Sequence, residues 1–369
     1  MARENFSGMP IPWEKELKAH KASKEKPKMK KILCILIVIG IGVSSLLCER
    51  EEQALSEAEE NFEYLWKDFD LNYGIFGPKR VDWDLLYKVY RPKVTPQTTK
   101  EELFTIMSGM LKQLNDNHVR LRKEGRQFTS GLLGEIKMQD HSLMLIRDKY
   151  LNGNYQTLHK NIFHYGWLDD AIGYFHFRGF SNTLESAAAI DKIVEEFKDA
   201  KGIIIDVRQN GGGDDRVGKI IADRFAKKKT MYMITRIRNG PNHDDFTEPK
   251  LWYVEPDGPI QFTGPVILLT HRHSVSAAEN FALAMRVIPH ATLVGDFTSG
   301  CFADMRWETL PNGWRYSISY TLFTDQNGFC WEGIGVPPDL RIINTAEDIA
   351  QKRDRVLEFA MDLIHTGGK

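Results

Sequence analysis

Between Ala54 and Leu121 apolar residues recur every three or four positions, at Phe62, Leu65, Trp66 and Phe69 and again at Leu103, Ile106, Met107, Met110, Leu111 and Leu114. That period puts one apolar face on each of two helices, so residues 49–121 read as a small helical subdomain. Thr99, followed by Glu102, forms a capping box that opens the second helix. From Phe128 to Phe163 the pattern is short and mixed, with Leu143 to Ile146 as a candidate strand, and residues 122–166 read as a small β-containing cap or connector. After Trp167 short apolar runs alternate with amphipathic segments. Strands are expected at Ile172–Phe177, Gly202–Val207, Pro265–Thr270 and Ala291–Gly295, with helices at Leu184–Phe197, Val217–Phe225 and Ala277–Val287. The strands lack polar alternation, which predicts parallel pairing covered on both faces. Residues 167–345 are therefore expected to form an α/β core, and residues 346–369 a C-terminal helix.

Composition narrows the class. The 369 residues are 42% hydrophobic and 27% charged, enough to bury a full core, and the net charge of -1 comes with no basic block in the main body. A nucleic-acid partner thus has no electrostatic support. Met29-Lys30-Lys31, the apolar run Ile32–Leu47, Cys48 and the acidic Glu49-Arg50-Glu51-Glu52 have the parts of a secretory signal. The run is shorter than the roughly 20 residues of a spanning helix. Residues 29–48 resemble a bacterial lipoprotein signal, in which Cys48 would be lipidated, and this implies an exported protein held to a bacterial membrane, periplasmic or at the cell surface. An uncleaved signal anchor is the alternative. Residues 1–28 read as an N-terminal extension that is not translated if synthesis begins at Met29.

Four segments have the makings of chemistry. Asp206-Val207-Arg208-Gln209-Asn210-Gly211-Gly212-Gly213-Asp214 follows a buried strand and precedes a helix, and its glycines leave backbone N–H groups bare toward an anion. The Lys-Ser/Thr that closes a phosphate loop is missing, so an oxyanion hole or a plain tight turn are the readings left. Ser276 opens the next strand-to-helix turn, at the positive end of a helix dipole, beside small Ala277 and Ala278. Taken alone it reads as an ordinary N-cap. His271 and His273 alternate without a third ligand, no zinc spacing exists among the cysteines, and no metal or cofactor is expected. His118 follows a helix end, where a solvated cap is the ordinary reading. The fourth segment, Trp331 to Asp339, is rich in turn residues.

In order and wording these segments resemble the tail-specific, C-terminal-processing and tricorn-core serine peptidases. The matching pieces are Leu114 to His118, Asp206 to Gly213, Ser276 to Glu279, Gly295 to Gly300 and Glu332 to Asp339, spread over residues 55–345. The resemblance implies an α/β fold of the Clp peptidase/crotonase-like kind, a spiral of ββα units with an N-terminal helical subdomain. It also implies Ser276 as nucleophile, with oxyanion donors from Ala277 and from Gly212 or Gly213. In the tail-specific branch a lysine follows Gly-x-x-Thr-x-Gly and serves as base; here that position is Cys301, a neutral thiol that cannot replace an amine. The tricorn-like branch draws its base from the helical part and orients it with a late glutamate, positions matched by His118 and Glu332. Tail-specific relatives insert a PDZ domain, for which the stretch between His118 and Trp167 has no room. A peptide or unfolded protein is the implied substrate; the oligomeric state is open. Cys301 and Cys330 either form a bridge or are two buried thiols. The competing function is a non-catalytic ligand-binding protein on the same fold.

Overall fold

The computed structural model describes residues 54–132 and 140–367. The signal segment and Cys48 lie outside the described residues. No helix among the described residues is long and apolar enough to cross a membrane.

Helices α1 (Glu57–Asn72), α2 (Phe76–Lys79), α3 (Trp83–Tyr90) and α4 (Lys100–Lys112) come first. The periodic residues Phe62, Leu65, Phe69, Leu103, Met107 and Met110 are all buried, as the spacing requires, and the Thr99–Glu102 capping box opens α4. Hairpin β1 (Arg120–Lys123) and β2 (Arg126–Thr129) follows, then one helical turn, α5 (Leu143–Leu145). The expected strand at Leu143–Ile146 is thus helical. Four apolar residues fit either period, and Ser142 decides the matter because its hydroxyl accepts the Leu145 N–H at 3.2 Å, leaving Leu143 and Ile146 buried and Met144 exposed.

The centre of the molecule is a seven-stranded sheet. It uses β3 (Gln156–Leu158), β4 (Phe163–Trp167), β5 (Ile172–Phe177), β6 (Gly202–Asp206), β9 (Val266–Thr270), β10 (Ala291–Gly295) and β14 (Leu340–Arg341), in spatial order β14-β10-β9-β6-β5-β4-β3. The pairs from β14 to β5 are parallel and those from β5 to β3 antiparallel. Residues 122–166 are therefore shared out: the hairpin joins one sheet, while β3 and β4 extend the central one.

Parallel strands buried on both faces carry apolar residues at every position, and here the two faces separate cleanly. Ile203, Ile205, Val266 and Leu268 point to one side, under α6 (Thr183–Glu196), α7 (Asp215–Asp223) and α8 (Ala277–Arg286). Ile204, Ile267 and Leu269 point to the other, where Val356, Leu357 and Ile364 of α10 (Arg355–His365), which follows the short α9 (Ala346–Ala350), cover them. A three-stranded sheet, β13-β7-β8, combines β7 (Thr230–Ile237), β8 (Lys250–Val254) and β13 (Thr321–Asp325). A third sheet matters most for the site. Strands β11 (Met305–Thr309) and β12 (Arg315–Ser319) continue through β1 into β2, with Arg120 opposite Ser317. This sheet packs Leu121, Tyr316 and Ile318 against the apolar faces of α1 and α4. Hence a strand from late in the chain fixes the segment just past α4.

A buried ion network lies at the end of β6. Arg208 donates to Asp206 at 2.7–3.1 Å and to Asp354, which precedes α10, at 3.0 Å, while Tyr174 Oη donates to Asp206 at 2.9 Å. Asp206 and Asp354 are fully buried, so the guanidinium is what keeps two carboxylates tolerable there.

Candidate active site

Strands β6 and β9 are parallel neighbours, so the turns that leave their C-terminal ends lie side by side. The glycine turn after β6 is locked from within. Asn210 Nδ2 donates to the Phe177 carbonyl at 3.0 Å, and its Oδ1 accepts the Gly212 N–H at 2.9 Å. Asn210 also accepts the Val275 N–H at 3.0 Å, and Ser274 Oγ donates to the Val207 carbonyl at 2.8 Å, which ties the two turns together. Gly212 has φ 88°, and a Cβ there would sit 2.7 Å from Ser276 Cβ and 2.6 Å from the Val275 carbonyl oxygen, so only glycine fits.

Ser276 has φ 59° and ψ -122°, the conformation of the first central residue of a type II′ turn, which glycine dominates. A side chain held there stores strain of about 1–3 kcal/mol. Ser276 stands at the N-cap of α8, as its position in the sequence suggests, and its N–H donates to Glu279 at 3.1 Å, the backbone half of a capping box; its hydroxyl is not bonded to the first helical N–H groups, and the residue is only partly buried. Among the described residues, the N–H groups of Gly213 and Ala277 donate to no protein acceptor. The Gly212 N–H, by contrast, is held by Asn210 Oδ1, which removes Gly212 from the pair of candidate glycine donors and leaves Gly213.

One carboxylate organises the floor beneath Ser276. Glu279 is fully buried and accepts four hydrogen bonds: from the N–H of Ser276 at 3.1 Å, of Cys301 at 2.8 Å and of Gly300 at 2.6 Å, and from Thr298 Oγ1 at 2.7 Å. Burial pushes its carboxyl up to about 7 against the pull of those donors. Ser276 and Cys301 are thereby fastened to the same group.

His118 comes from the segment between α4 and β1. Asn115, at φ 44°, ends the helical segment, and Lys79 Nζ donates to its carbonyl at 2.8 Å. Asp116 then collects four bonds of its own network: its Oδ1 accepts the His118 N–H at 2.8 Å, its Oδ2 accepts Tyr73 Oη at 3.0 Å and Ser319 Oγ at 2.8 Å, and its own N–H donates to Ser130 Oγ at 3.3 Å. Ser317 Oγ of β12 donates to the His118 carbonyl at 2.5 Å. The ring is 9% exposed, its Nδ1 has no hydrogen-bond partner, and the ring bonds the Ala303 carbonyl. Burial holds the imidazole below the usual histidine range, opposed by the charge of Asp116. A ring nitrogen of His118, an oxygen of Asp116 and Cys301 Sγ all lie within 4.8 Å of one another. Cys301 is thus the residue that His118 and Ser276 have in common.

Glu332 does not touch His118. Its Oε2 accepts the N–H of Phe302 at 2.8 Å and of Ala303 at 3.2 Å, and its Oε1 lies 3.4 Å from Lys79 Nζ. It holds the backbone whose carbonyl meets the His118 ring. Burial, followed by the charge of Asp116, pushes Glu332 up to about 8. Cys301 and Cys330 are both free thiols, Cys301 buried and Cys330 partly so; the bridge between them is not formed. His271 and His273 stack on each other 5.5 Å apart, and His271 Nε2 meets Asp140 at 2.9 Å. Asp116, Glu279 and Lys79 did not stand out in the sequence as site residues, since what each one holds lies far away along the chain.

The sequence profile of peptidase family S41 matches residues 171–342, and that of the tricorn protease C1 domain matches residues 55–112. The crystal structure of a proposed peptidase from Parabacteroides merdae is similar with a TM-score of 0.77 and 34% identity, covering 84% of this chain and 97% of that one. Tricorn protease of Thermoplasma volcanium is 23% identical over 248 residues, 67% of this chain and 22% of the relative. Carboxy-terminal processing protease CtpB of Bacillus subtilis is 29% identical over 178 residues, 47% of this chain and 34% of the relative. The chain therefore spans about a fifth to a third of those two curated relatives.

Proposed function

The chain belongs to peptidase family S41, with the Clp/crotonase-like fold of that family, and on this premise we propose that it hydrolyses peptide bonds through an acyl-enzyme on Ser276. The observation that carries the proposal is the strained Ser276 at the start of α8 beside two backbone N–H groups that donate to no protein acceptor, with Cys301 sharing Glu279 with Ser276 through its N–H and lying within 4.8 Å of a His118 ring nitrogen through its Sγ. His118 takes the hydroxyl proton as Oγ attacks the substrate carbonyl. The carbonyl oxygen becomes an oxyanion, held by the N–H groups of Ala277 and Gly213 at the start of α8. Loss of one such donor costs about 2.7–4 kcal/mol of barrier. His118 then protonates the leaving amine, and a water attacks the acyl-enzyme by the reverse proton path. The neutral thiol at position 301 supports a histidine base over a lysine dyad. Glu332 acts at one remove, through the Ala303 peptide against which the ring rests. Nδ1 has no hydrogen-bond partner in the resting site, and the proposed bond between the ring and Ser276 tightens on substrate binding.

A peptide or unfolded protein is the proposed substrate. Export and attachment to a bacterial membrane through a lipid on Cys48 rest on the pattern of residues 29–48. Exchange of Cys48 for Ser is expected to move the protein from the detergent phase to the aqueous phase.

The decisive test is labelling of the full chain with a fluorophosphonate probe, followed by peptide mapping. Modification is expected at Ser276 alone, lost in Ser276→Ala and slowed about 10²- to 10⁴-fold in His118→Ala. A folded protein that resists the probe is a ligand carrier, and the hydrolase reading is then wrong.

A further inference from the structure

The group formed by Asp116, His118 and Cys301 offers one carboxylate oxygen, one imidazole nitrogen and one sulfur, all within 4.8 Å of one another. Ligand atoms around a tetrahedral zinc ion stand roughly 3.5 Å apart, given bonds of about 2.0–2.3 Å. Closing on an ion thus asks only for small side-chain shifts. The three side chains are 1%, 9% and 0% exposed, so an ion held there would be shielded from water. A second observation points the same way: His118 Nδ1 is buried with no hydrogen-bond partner, a condition that ordinarily costs about 1–3 kcal/mol. The surroundings are also short of positive charge. Asp116, Glu279 and Glu332 lie around this point, with Lys79 3.4 Å from Glu332 Oε1.

We infer that this group is a binding site for a thiophilic divalent cation of the zinc class, and that the bound ion switches the peptidase off by taking the His118 imidazole. The inference about inhibition rests on the proposed role of His118 as base; the inference about binding does not. Coordination replaces the thiol S–H bond by a metal–sulfur bond and releases one proton to water. The ion then occupies an imidazole lone pair that would otherwise accept the Ser276 proton. Sulfur selects against magnesium and calcium, which prefer oxygen ligands. Three protein ligands leave the fourth position open. No sequence spacing announces such a site, because two ligands precede the central sheet and the third comes only after β10.

The test uses the full chain, reduced and stripped of metal, with Co²⁺ as spectroscopic probe and Zn²⁺ as competitor. One equivalent of Co²⁺ is expected to give a thiolate-to-cobalt charge-transfer absorption, which one equivalent of Zn²⁺ abolishes. Cys301→Ser keeps the size of the side chain and is expected to lose that absorption. His118→Asn is expected to weaken binding by at least the roughly 10- to 100-fold that loss of a supporting partner costs. Absence of the band in the parent protein, or its survival in Cys301→Ser, overturns the site. Fluorophosphonate labelling, compared with each protein's own metal-free rate, reads the inhibition: Zn²⁺ should slow it in the parent and not in Cys301→Ser. Labelling that Zn²⁺ leaves unchanged in the parent overturns the switch. If metal-free protein shows the cobalt band but never labels, the metal site stands and the peptidase reading falls.

Discussion

Replacing Ser276 by glycine should make the protein more stable while abolishing its reaction with fluorophosphonate. At φ 59° and ψ -122° the serine Cβ occupies a region that only glycine visits freely, and relief of that strain is worth about 1–3 kcal/mol. Glycine returns part of this, about 0.4–1 kcal/mol, through the greater freedom of the unfolded chain. An N-cap hydroxyl would add a further loss of about 1 kcal/mol, but the Ser276 hydroxyl makes no capping bond, so nothing is charged for it. The net expectation is a gain of roughly 0.5–2 kcal/mol for Ser276→Gly. Ser276→Ala keeps the strained Cβ and should stay within about 0.5 kcal/mol of the parent. Urea unfolding of the three proteins, followed by tryptophan fluorescence, reads the difference as a shift of midpoint at unchanged slope. A glycine variant no more stable than the alanine variant would refute the reasoning and return Ser276 to a structural cap.

Glu279→Gln should destabilise the protein by about 2–4 kcal/mol at pH 8, because an amide offers one acceptor oxygen to donors that now share two, and a backbone N–H such as that of Gly300 is left unpaired. Labelling of Ser276 should slow in parallel, and a variant within about 0.5 kcal/mol of the parent would sink the proposed role. Arg208→Met should cost about 3–5 kcal/mol in the same unfolding assay, since it strands Asp206 and Asp354 in the interior, while Asp354→Asn in the Arg208→Met background should recover part of that loss. Asp215 gives a pH signature. Burial raises its carboxyl to about 7, so the folded protein keeps a proton that the unfolded chain releases near pH 4; this contribution is complete below about pH 4 and lost as pH rises through 7. Asp215→Asn, which can still accept from Asn280, should therefore gain on the parent by on the order of 1–2 kcal/mol between pH 5 and pH 8. A pH-independent difference would mean that the carboxyl is not held neutral.

Much of the fold was readable where burial is symmetric. The runs at Ile172–Phe177, Gly202–Asp206, Val266–Thr270 and Ala291–Gly295 are apolar because both sheet faces are covered, and each is a strand. The strands at Thr230–Ile237, Lys250–Val254 and Met305–Thr309 mix half-buried and exposed residues, which leaves no period to detect. The site divides in the same way. Ser276 and the glycine turn are local, strand-to-helix features, and their residue types are legible one beside another. The work of Glu279, Asp116 and Lys79 is done on distant partners, at residues 298–301, at Tyr73 and Ser319, and at Glu332. The motif Asp206-Val207-Arg208 looked like part of an anion-facing turn; its two charged residues instead anchor α10 through Asp354. The resemblance put Cys301 and His118 at alternative base positions, and tertiary structure brings the Cys301 Sγ within 4.8 Å of a His118 ring nitrogen.

The pairing of Arg120 with Ser317, and the hydrogen bond from Ser317 to His118, set the order in which a cutting edge can exist. During synthesis the imidazole leaves the ribosome early, and the serine much later, but the strand that seats the imidazole is made later still. A growing chain therefore carries both side chains for a time before the strand that seats His118 exists. On the proposed roles of Ser276 and His118, sequence order alone delays assembly of the pair until β12 has been made.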